Sequence, residues 1–203
     1  FININIDNLL FNIMSKYKNN YWNINFENPT NFIFGYGSII NDISRSKTCR
    51  GICDAIPVRL NKKFGYRRSW KFRNVKNNST VLGVEKVNNN EASTINGVIF
   101  LVSDYNLKNF DERENGYIRV KIPINMLESC SLINLPPKKS NISIWIYVPK
   151  KHKLKLASKK YPCLQSYLDI CLEGCLKYGA EFTHEFINTI YEWNDYWIND
   201  THK

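Results

Sequence analysis

The stretch FIFGYGSIINDISRS, residues 32–46, decides how the rest of the chain is read. Phe32, Ile33 and Phe34 have the apolar, β-favouring character of a buried strand. That strand runs into Gly35-Tyr36-Gly37-Ser38, two glycines around an aromatic, before the chain turns polar. One reading is a glycine-rich turn that redirects the backbone. The other is a loop whose N–H groups face an anion, since glycine has no side chain to hold the anion off.

Outward from this loop the strand character recurs. Residues 54–60, 79–87, 95–102, 117–124 and 142–149 are rich in β-branched and aromatic side chains, and Asn, Gly or Lys clusters separate them. A short helix is expected over residues 103–116: Ser103 caps it, Asp104 suits its positive end, Leu107 and Phe110 share a face, and Asn115-Gly116 stops it. Leu164, Leu168, Cys171, Leu172 and Cys175 recur at helical spacing up to Gly179, and Phe182, Phe186 and Ile190 predict a second helix after it. Six strands, an inserted helix and two terminal helices imply an α+β fold whose sheet closes into a small mixed β-barrel flanked by helices. Residues 1–30 read as an Asn-rich extension, with a short helix capped by Asp7 (Leu10, Ile13, Met14 and Tyr17 on one face), and residues 31–203 as the domain.

The chain has 203 residues with 43% hydrophobic content, enough to build one core. Its longest apolar run, residues 97–102, is far short of the roughly 20 residues needed to span a bilayer. No basic-then-apolar segment of the secretory kind is seen, so the expectation is a soluble, cytoplasmic protein. The net charge of +10 favours anionic partners. The heavy use of Lys, Asn and Ile together also fits a coding bias, so charge alone assigns no function.

Few catalytic residue types are on offer. Cys49/Cys53 and Cys171/Cys175 are each four apart, unlike the two-residue gaps of zinc sites, and with Cys130 and Cys163 they read as reduced core thiols; no metal or cofactor is implied. His152, His184 and His202 are scattered, and HEFIN lacks the second His of a zinc-protease helix. Residues 59–73 interleave Arg and Lys with Phe64, Tyr66, Trp70 and Phe72. Two readings stay open there: a stacking platform for single-stranded nucleic acid, or a hairpin with one buried and one charged face. Asp111, Glu112 and Glu114 crowd the negative end of the short helix, which opposes its dipole. A carboxylate turned inward beside Phe110 and Tyr117 would have its pKa raised by desolvation toward the range useful for moving protons.

Taken in order, FGYGSII, TVLGVEKV, NGVIFLV, FDERENGYIRV and YPCLQSYLDICLEGC resemble the γ-glutamylcyclotransferase superfamily over residues 32–200. The likeness is to the branch with FGYGSL near its start, which includes ChaC-type glutathione-degrading enzymes and bacterial relatives. Ile39 stands where that branch carries Leu. The resemblance implies a mixed barrel flanked by helices and a cofactor-independent enzyme. It implies that Phe34, Gly35, Tyr36, Gly37 and Ser38 contact the γ-glutamyl group, that Glu114 of the D-x-x-E pattern is catalytic, and that Tyr147 and Tyr161 are further substrate-side residues. It also puts the basic connection at residues 149–160 near the cavity mouth, where Lys153, Lys155, Lys159 and Lys160 would meet an anionic peptide.

The implied chemistry suits the sparse inventory. A γ-glutamyl amide carries its own nucleophile, the α-amine, so folding the chain supplies the advantage of an intramolecular reaction. One carboxylate can take a proton from the ammonium and return one to the departing amine. The expected function is conversion of a γ-glutamyl substrate, glutathione foremost, to 5-oxoproline and a free amine. The alternatives are a non-catalytic binding member of the same fold and, further off, a basic nucleic-acid-binding protein. No membrane partner is expected.

Overall fold

The computed structural model describes residues 30–48, 54–131, 135 and 141–201. The helix expected at Asp7, the rest of the extension to residue 29, Cys49, Cys53 and His202 lie outside them. The architecture is α+β. In chain order the elements are β1 (Thr30–Gly35), α1 (Asp42–Ser46), β2 (Ile56–Leu60), β3 (Tyr66–Asn74), β4 (Ser79–Lys86), β5 (Ile95–Val102), α2 (Asp104–Arg113), β6 (Tyr117–Ile122), β7 (Leu127–Ser129) and β8 (Ile142–Pro149). They continue with β9 (Cys163–Leu164), α3 (Gln165–Leu176), α4 (Ala180–Asn188), β10 (Ile190–Tyr191) and β11 (Trp197–Ile198).

The main sheet runs β6-β8-β1-β5-β2-β7, with β1 parallel to β8 and antiparallel to β5. The apolar run of β1 follows from this central place, because both of its faces are covered. Phe32 and Phe34 pack with Val58, Leu60 and Ile146 on one side, while Ile33 joins Phe100, Phe110 and Phe186 on the other. A smaller sheet, β10-β3-β4, and a β11-β9 pair complete the strands among the described residues.

Helix α2 forms as its sequence dictates. The Ser103 side chain accepts the Asn106 N–H at 3.1 Å, and Leu107 and Phe110 are buried. Glu114 leaves the helical conformation at φ −95°, ψ 36°, which swings its side chain off the exposed flank of the helix. Two residues on, Gly116 has no room for a Cβ: the Phe72 ring lies 2.6 Å from where one would be. That ring stacks on Tyr117 at 4.2 Å, so Gly116 lets β3 close over the start of β6.

The helix expected through Ile190 stops at Asn188, and Ile190–Tyr191 becomes β10, parallel to β3. The buried guanidinium of Arg68 explains the stop. It donates to the Phe186 carbonyl at 2.9 Å and to the Thr189 hydroxyl at 2.7 Å, taking the acceptor that residue 190 would need in a continued helix. The hairpin expected over residues 59–73 is also not formed: Arg59 lies in the main sheet and β3 in the smaller one. Arg68, Trp70 and Phe72 are 0%, 1% and 9% exposed, so these three offer no stacking surface, while Phe64 and Tyr66 are half-buried and stack on each other at 4.9 Å. Three other cations of the stretch meet acids, Arg59 with Glu185 and both Arg67 and Lys71 with Glu85. Cys163, Cys171 and Cys175 are buried free thiols. No helix among the described residues is long and apolar enough to cross a membrane.

Candidate active site

Beyond β1 the chain passes through Tyr36 and Gly37 into a 3₁₀ turn at Ser38–Ile40. The turn closes through Ile40 N–H to the Gly37 carbonyl at 2.9 Å and Asn41 N–H to the Ser38 carbonyl at 3.1 Å. Arg68 donates to the Tyr36 carbonyl at 3.2 Å, and Arg45 donates to those of Ile39 and Ile40 at 3.0 and 2.6 Å. Every carbonyl from Tyr36 to Ile40 is thus engaged, so the polarity this loop can offer a ligand is on its N–H side. Burial lowers the Arg68 pKa to about 10, which still leaves it a cation at neutral pH. The Tyr36 hydroxyl donates to the Tyr147 carbonyl at 2.7 Å and ties the loop to β8.

Helix α3 closes over the turn. A Cβ on Gly174 would meet the Asn41 backbone nitrogen at 2.5 Å, so only glycine permits this approach. Tyr167 lies two turns earlier on the same face, and its hydroxyl reaches 2.8 Å from where a Gly37 Cβ would be. Gly37 itself has φ −135°, outside the left-handed region, so space and not backbone conformation makes it glycine.

Glu114 faces this loop. Its side chain is 16% exposed, and burial raises its pKa above the ordinary carboxylate value. The Arg113 guanidinium, with Nε 3.2 Å from the carboxylate, pulls the other way without reversing the shift. Arg113 is held in turn by the Ser44 carbonyl and Thr48 hydroxyl, both at 2.7 Å. Tyr36, Tyr117 and Tyr167 all have raised pKa values, chiefly through burial, and the charge of Glu114 adds to the effect. They stay neutral and can donate hydrogen bonds. For Tyr167, a contact from the Ser38 backbone N–H works against the rise.

Of the residues singled out from the sequence, Phe34, Tyr36, Gly37, Ser38, Glu114 and Tyr147 line one narrow cavity of about 40 Å³. Leu82, Tyr117 and Tyr167 help to complete it. Ser38, Glu114, Tyr117 and Tyr167 also line a wide cleft of about 870 Å³, so the carboxyl stands where the two meet. Gly35 is in neither lining; it ends β1, where a Cβ would strike Ile39 at 2.8 Å. Tyr161 is in neither lining as well. It lies four residues before α3 and takes the Arg73 guanidinium over its ring at 4.5 Å. The Tyr147 hydroxyl points to Asp111, donating to it at 2.8 Å.

Three solved structures resemble this arrangement of elements. The uncharacterized protein loc79017 from Homo sapiens is 15% identical, with 83% of this chain and 92% of that one covered and a TM-score of 0.58. A structure named gamma-glutamyl cyclotransferase is 15% identical over 82% of this chain and 90% of that one, with a TM-score of 0.56. The chain has the γ-glutamylcyclotransferase-like fold. YkqA from Bacillus subtilis is also 15% identical, with a TM-score of 0.55, and here 79% of this chain spans only 54% of the other. No family model matches the chain, and no curated protein matches its sequence.

Sequence reasoning missed Tyr167 and the β3 side of the cleft, although the resemblance had put Lys153 at the cavity mouth, where it lines the cleft. The signal for Tyr167 was present in its spacing to Cys171 and Gly174, which puts all three on one face of α3. The stripe read from the sequence, Leu164, Leu168, Cys171, Leu172 and Cys175, included Cys171 of that face but not Tyr167. The cleft walls combine Phe72 and Arg73 of β3 with Lys150 and Lys153 beyond β8, and no local pattern announces that pairing.

Proposed function

We propose that this chain is a γ-glutamyl cyclotransferase, converting a γ-glutamyl peptide or amine to 5-oxoproline and a free amine. The observation that carries the reading is Glu114, a carboxyl with a raised pKa set among three neutral phenols at the mouth of a wide cleft. A carboxyl with a pKa above its ordinary value is a stronger base toward the substrate ammonium when ionised, and near neutrality a larger fraction of it holds the proton that the departing nitrogen needs. The α-amine attacks the γ-carbonyl carbon and the amide C–N bond breaks. The ammonium gives up two protons and the leaving nitrogen gains two, so none is consumed and one carboxylate can carry them. A donor near the carbonyl oxygen would stabilise the oxyanion, and the Tyr167 hydroxyl with the loop N–H groups forms the nearest set.

The inner cavity, at about 40 Å³, has little more than one water's share of volume. The γ-glutamyl head is therefore placed at the junction, with only one end reaching inward. Glutathione is the expected substrate, with Cys-Gly as its leaving group. The same crowding supports a second reading, a non-catalytic member that binds a γ-glutamyl ligand in the cleft, because Tyr167 occupies part of the cradle.

The test is incubation of pure protein with glutathione, γ-glutamyl dipeptides and γ-glutamyl amines, with release of 5-oxoproline as the readout. Catalytic release from any of them supports cyclotransfer. Stoichiometric calorimetric binding without release would transfer support to the binding module.

A further inference from the structure

The cleft outside Glu114 carries a chemistry that ring closure does not use. Arg73 and Lys76 stand on one wall, from the end of β3 and the turn that follows. Lys150 and Lys153, just beyond β8, line the cleft beside them, since Leu154 bridges Phe72 in antiparallel fashion, and Arg113 lines it as well. Glu114 is the one carboxylate among the described lining residues, and Arg113 already faces it at 3.2 Å. Lys76, Lys150 and Lys153 form no ion pair with any described carboxylate. Elsewhere on β3 the pattern is the opposite, since Arg67 and Lys71 share Glu85.

The placement of these cations is not that of lysines scattered in solvent. The Lys153 side chain crosses the backbone at Gly116, its Cε 3.8 Å from where a Cβ there would be, which puts it next to the reacting end. Arg73 is fixed by a bond from its Nη2 to the Leu156 carbonyl at 2.8 Å and by the Tyr161 ring beneath it. Like charges gathered along the lining of one cleft focus their potential where a ligand would lie, whereas isolated surface charges are screened. At about 870 Å³ the space is near the upper end of the roughly 300–1,000 Å³ usual for small-molecule sites. It holds more than the dipeptide released from glutathione.

We infer that this cleft receives an acidic leaving group, so that the substrate class is γ-glutamyl peptides whose released portion carries two or more carboxylates. The inference rests on the cyclotransfer reading above. The bonds made and broken are those already given, and the added carboxylates take no part in them. They are held by Lys76 and Lys153, with Arg73 and Lys150 alongside.

The experiment compares γ-glutamyl-Glu-Glu with its isostere γ-glutamyl-Gln-Gln, and both with glutathione, by release of 5-oxoproline. Each is run on the wild type and on Lys76→Gln/Lys153→Gln, whose two exposed or half-exposed sites tolerate glutamine. A preference of about tenfold in kcat/KM for the acidic peptide is expected at low salt, falling to about twofold in the double variant or in roughly 0.5 M salt. Equal rates for the two isosteres in the wild type would overturn the inference while leaving cyclotransfer intact, as would a preference that survives in the double variant. If no compound releases 5-oxoproline, the cyclotransfer reading fails, and calorimetry of the same peptides decides the rest. Tighter binding of the acidic peptide that disappears in the double variant would then support an acidic occupant, and equal binding of both would remove it.

Discussion

The inner cavity and the outer cleft meet at one carboxyl and are built on opposite principles. The inner cavity is narrow, walled by phenols and backbone, and its polar groups are mostly satisfied by one another. The cleft is wide and walled by cations with no described acidic partners apart from Arg113. The inner groups are held by packing and internal bonds; Lys76, Lys150, Lys153 and Arg73 of the cleft lack acidic partners among the described residues. Glu114 at the boundary takes burial from the first region and a neighbouring cation from the second.

The largest expected effect breaks the inner side of this contrast. Glu114→Gln keeps the shape but cannot exchange protons, so turnover should fall by about 10²–10⁴-fold while folding is retained. The raised pKa also fixes the sign for stability. A carboxyl whose folded pKa lies above its unfolded value contributes stability below the unfolded pKa and loses it as pH rises through the folded one. The Gln variant should therefore be as stable as wild type or more so at pH 7, with no such gain near pH 4. Near-wild-type turnover in this variant would shift the role to another group.

Next comes the contact that makes the inner cavity narrow. In Gly37→Ala the new methyl would lie 2.8 Å from the Tyr167 hydroxyl, and overpacking of this kind costs about 1–3 kcal/mol. Tyr167→Phe removes the atom that is struck, so the double variant should recover much of that loss, with a coupling of about 0.5–3 kcal/mol by chemical denaturation. An unchanged cost of the methyl in the Phe background would show that the hydroxyl is not what confines the loop.

These residues also show what was legible. β1 and α2 were readable because a buried two-faced strand and a capped amphipathic helix are each written within a dozen residues. Ser103, Leu107 and Phe110 fall where local rules put them, while the helix ends at Arg113, just before the Asn115-Gly116 stop that the sequence signals. Which acid of Asp111, Glu112 and Glu114 turns inward was not written locally; only the family resemblance pointed to Glu114. Tyr167 was not legible either, because its role depends on Gly174 letting α3 reach Asn41, a contact between segments over 130 residues apart. The stop at Asn188 was hidden too. It is set by Arg68, a buried cation on β3 that the sequence offered as part of a charged surface.

A smaller effect sharpens the boundary. Catalysis that needs the Glu114 carboxylate should lose kcat/KM as pH falls through its raised pKa. Arg113 favours the carboxylate by charge and by hydrogen bond, so Arg113→Gln should raise that pKa further and move the acid limb to higher pH. The sign follows from removing a cation beside an anion. A limb that stays in place, or moves down, would mean that a different group controls it.

The smallest effect concerns the basic connection after β8, and it asks whether the cleft or the loop as a whole matters. Lys153 lines the cleft, while Lys155, Lys159 and Lys160 are exposed and outside its lining. Exposed charges contribute about 0–1 kcal/mol to an interaction and are screened by salt. Lys153→Ser should therefore raise KM for glutathione by no more than about fivefold, and added salt should mimic it. Replacing Lys155, Lys159 and Lys160 together should change KM less than Lys153 alone, although three charges are removed instead of one. A γ-glutamyl amine with an uncharged leaving group should respond to neither change. If the three outer lysines matter as much as Lys153, attraction comes from the net charge of the loop, and the geometry of the cleft walls has no special part in it.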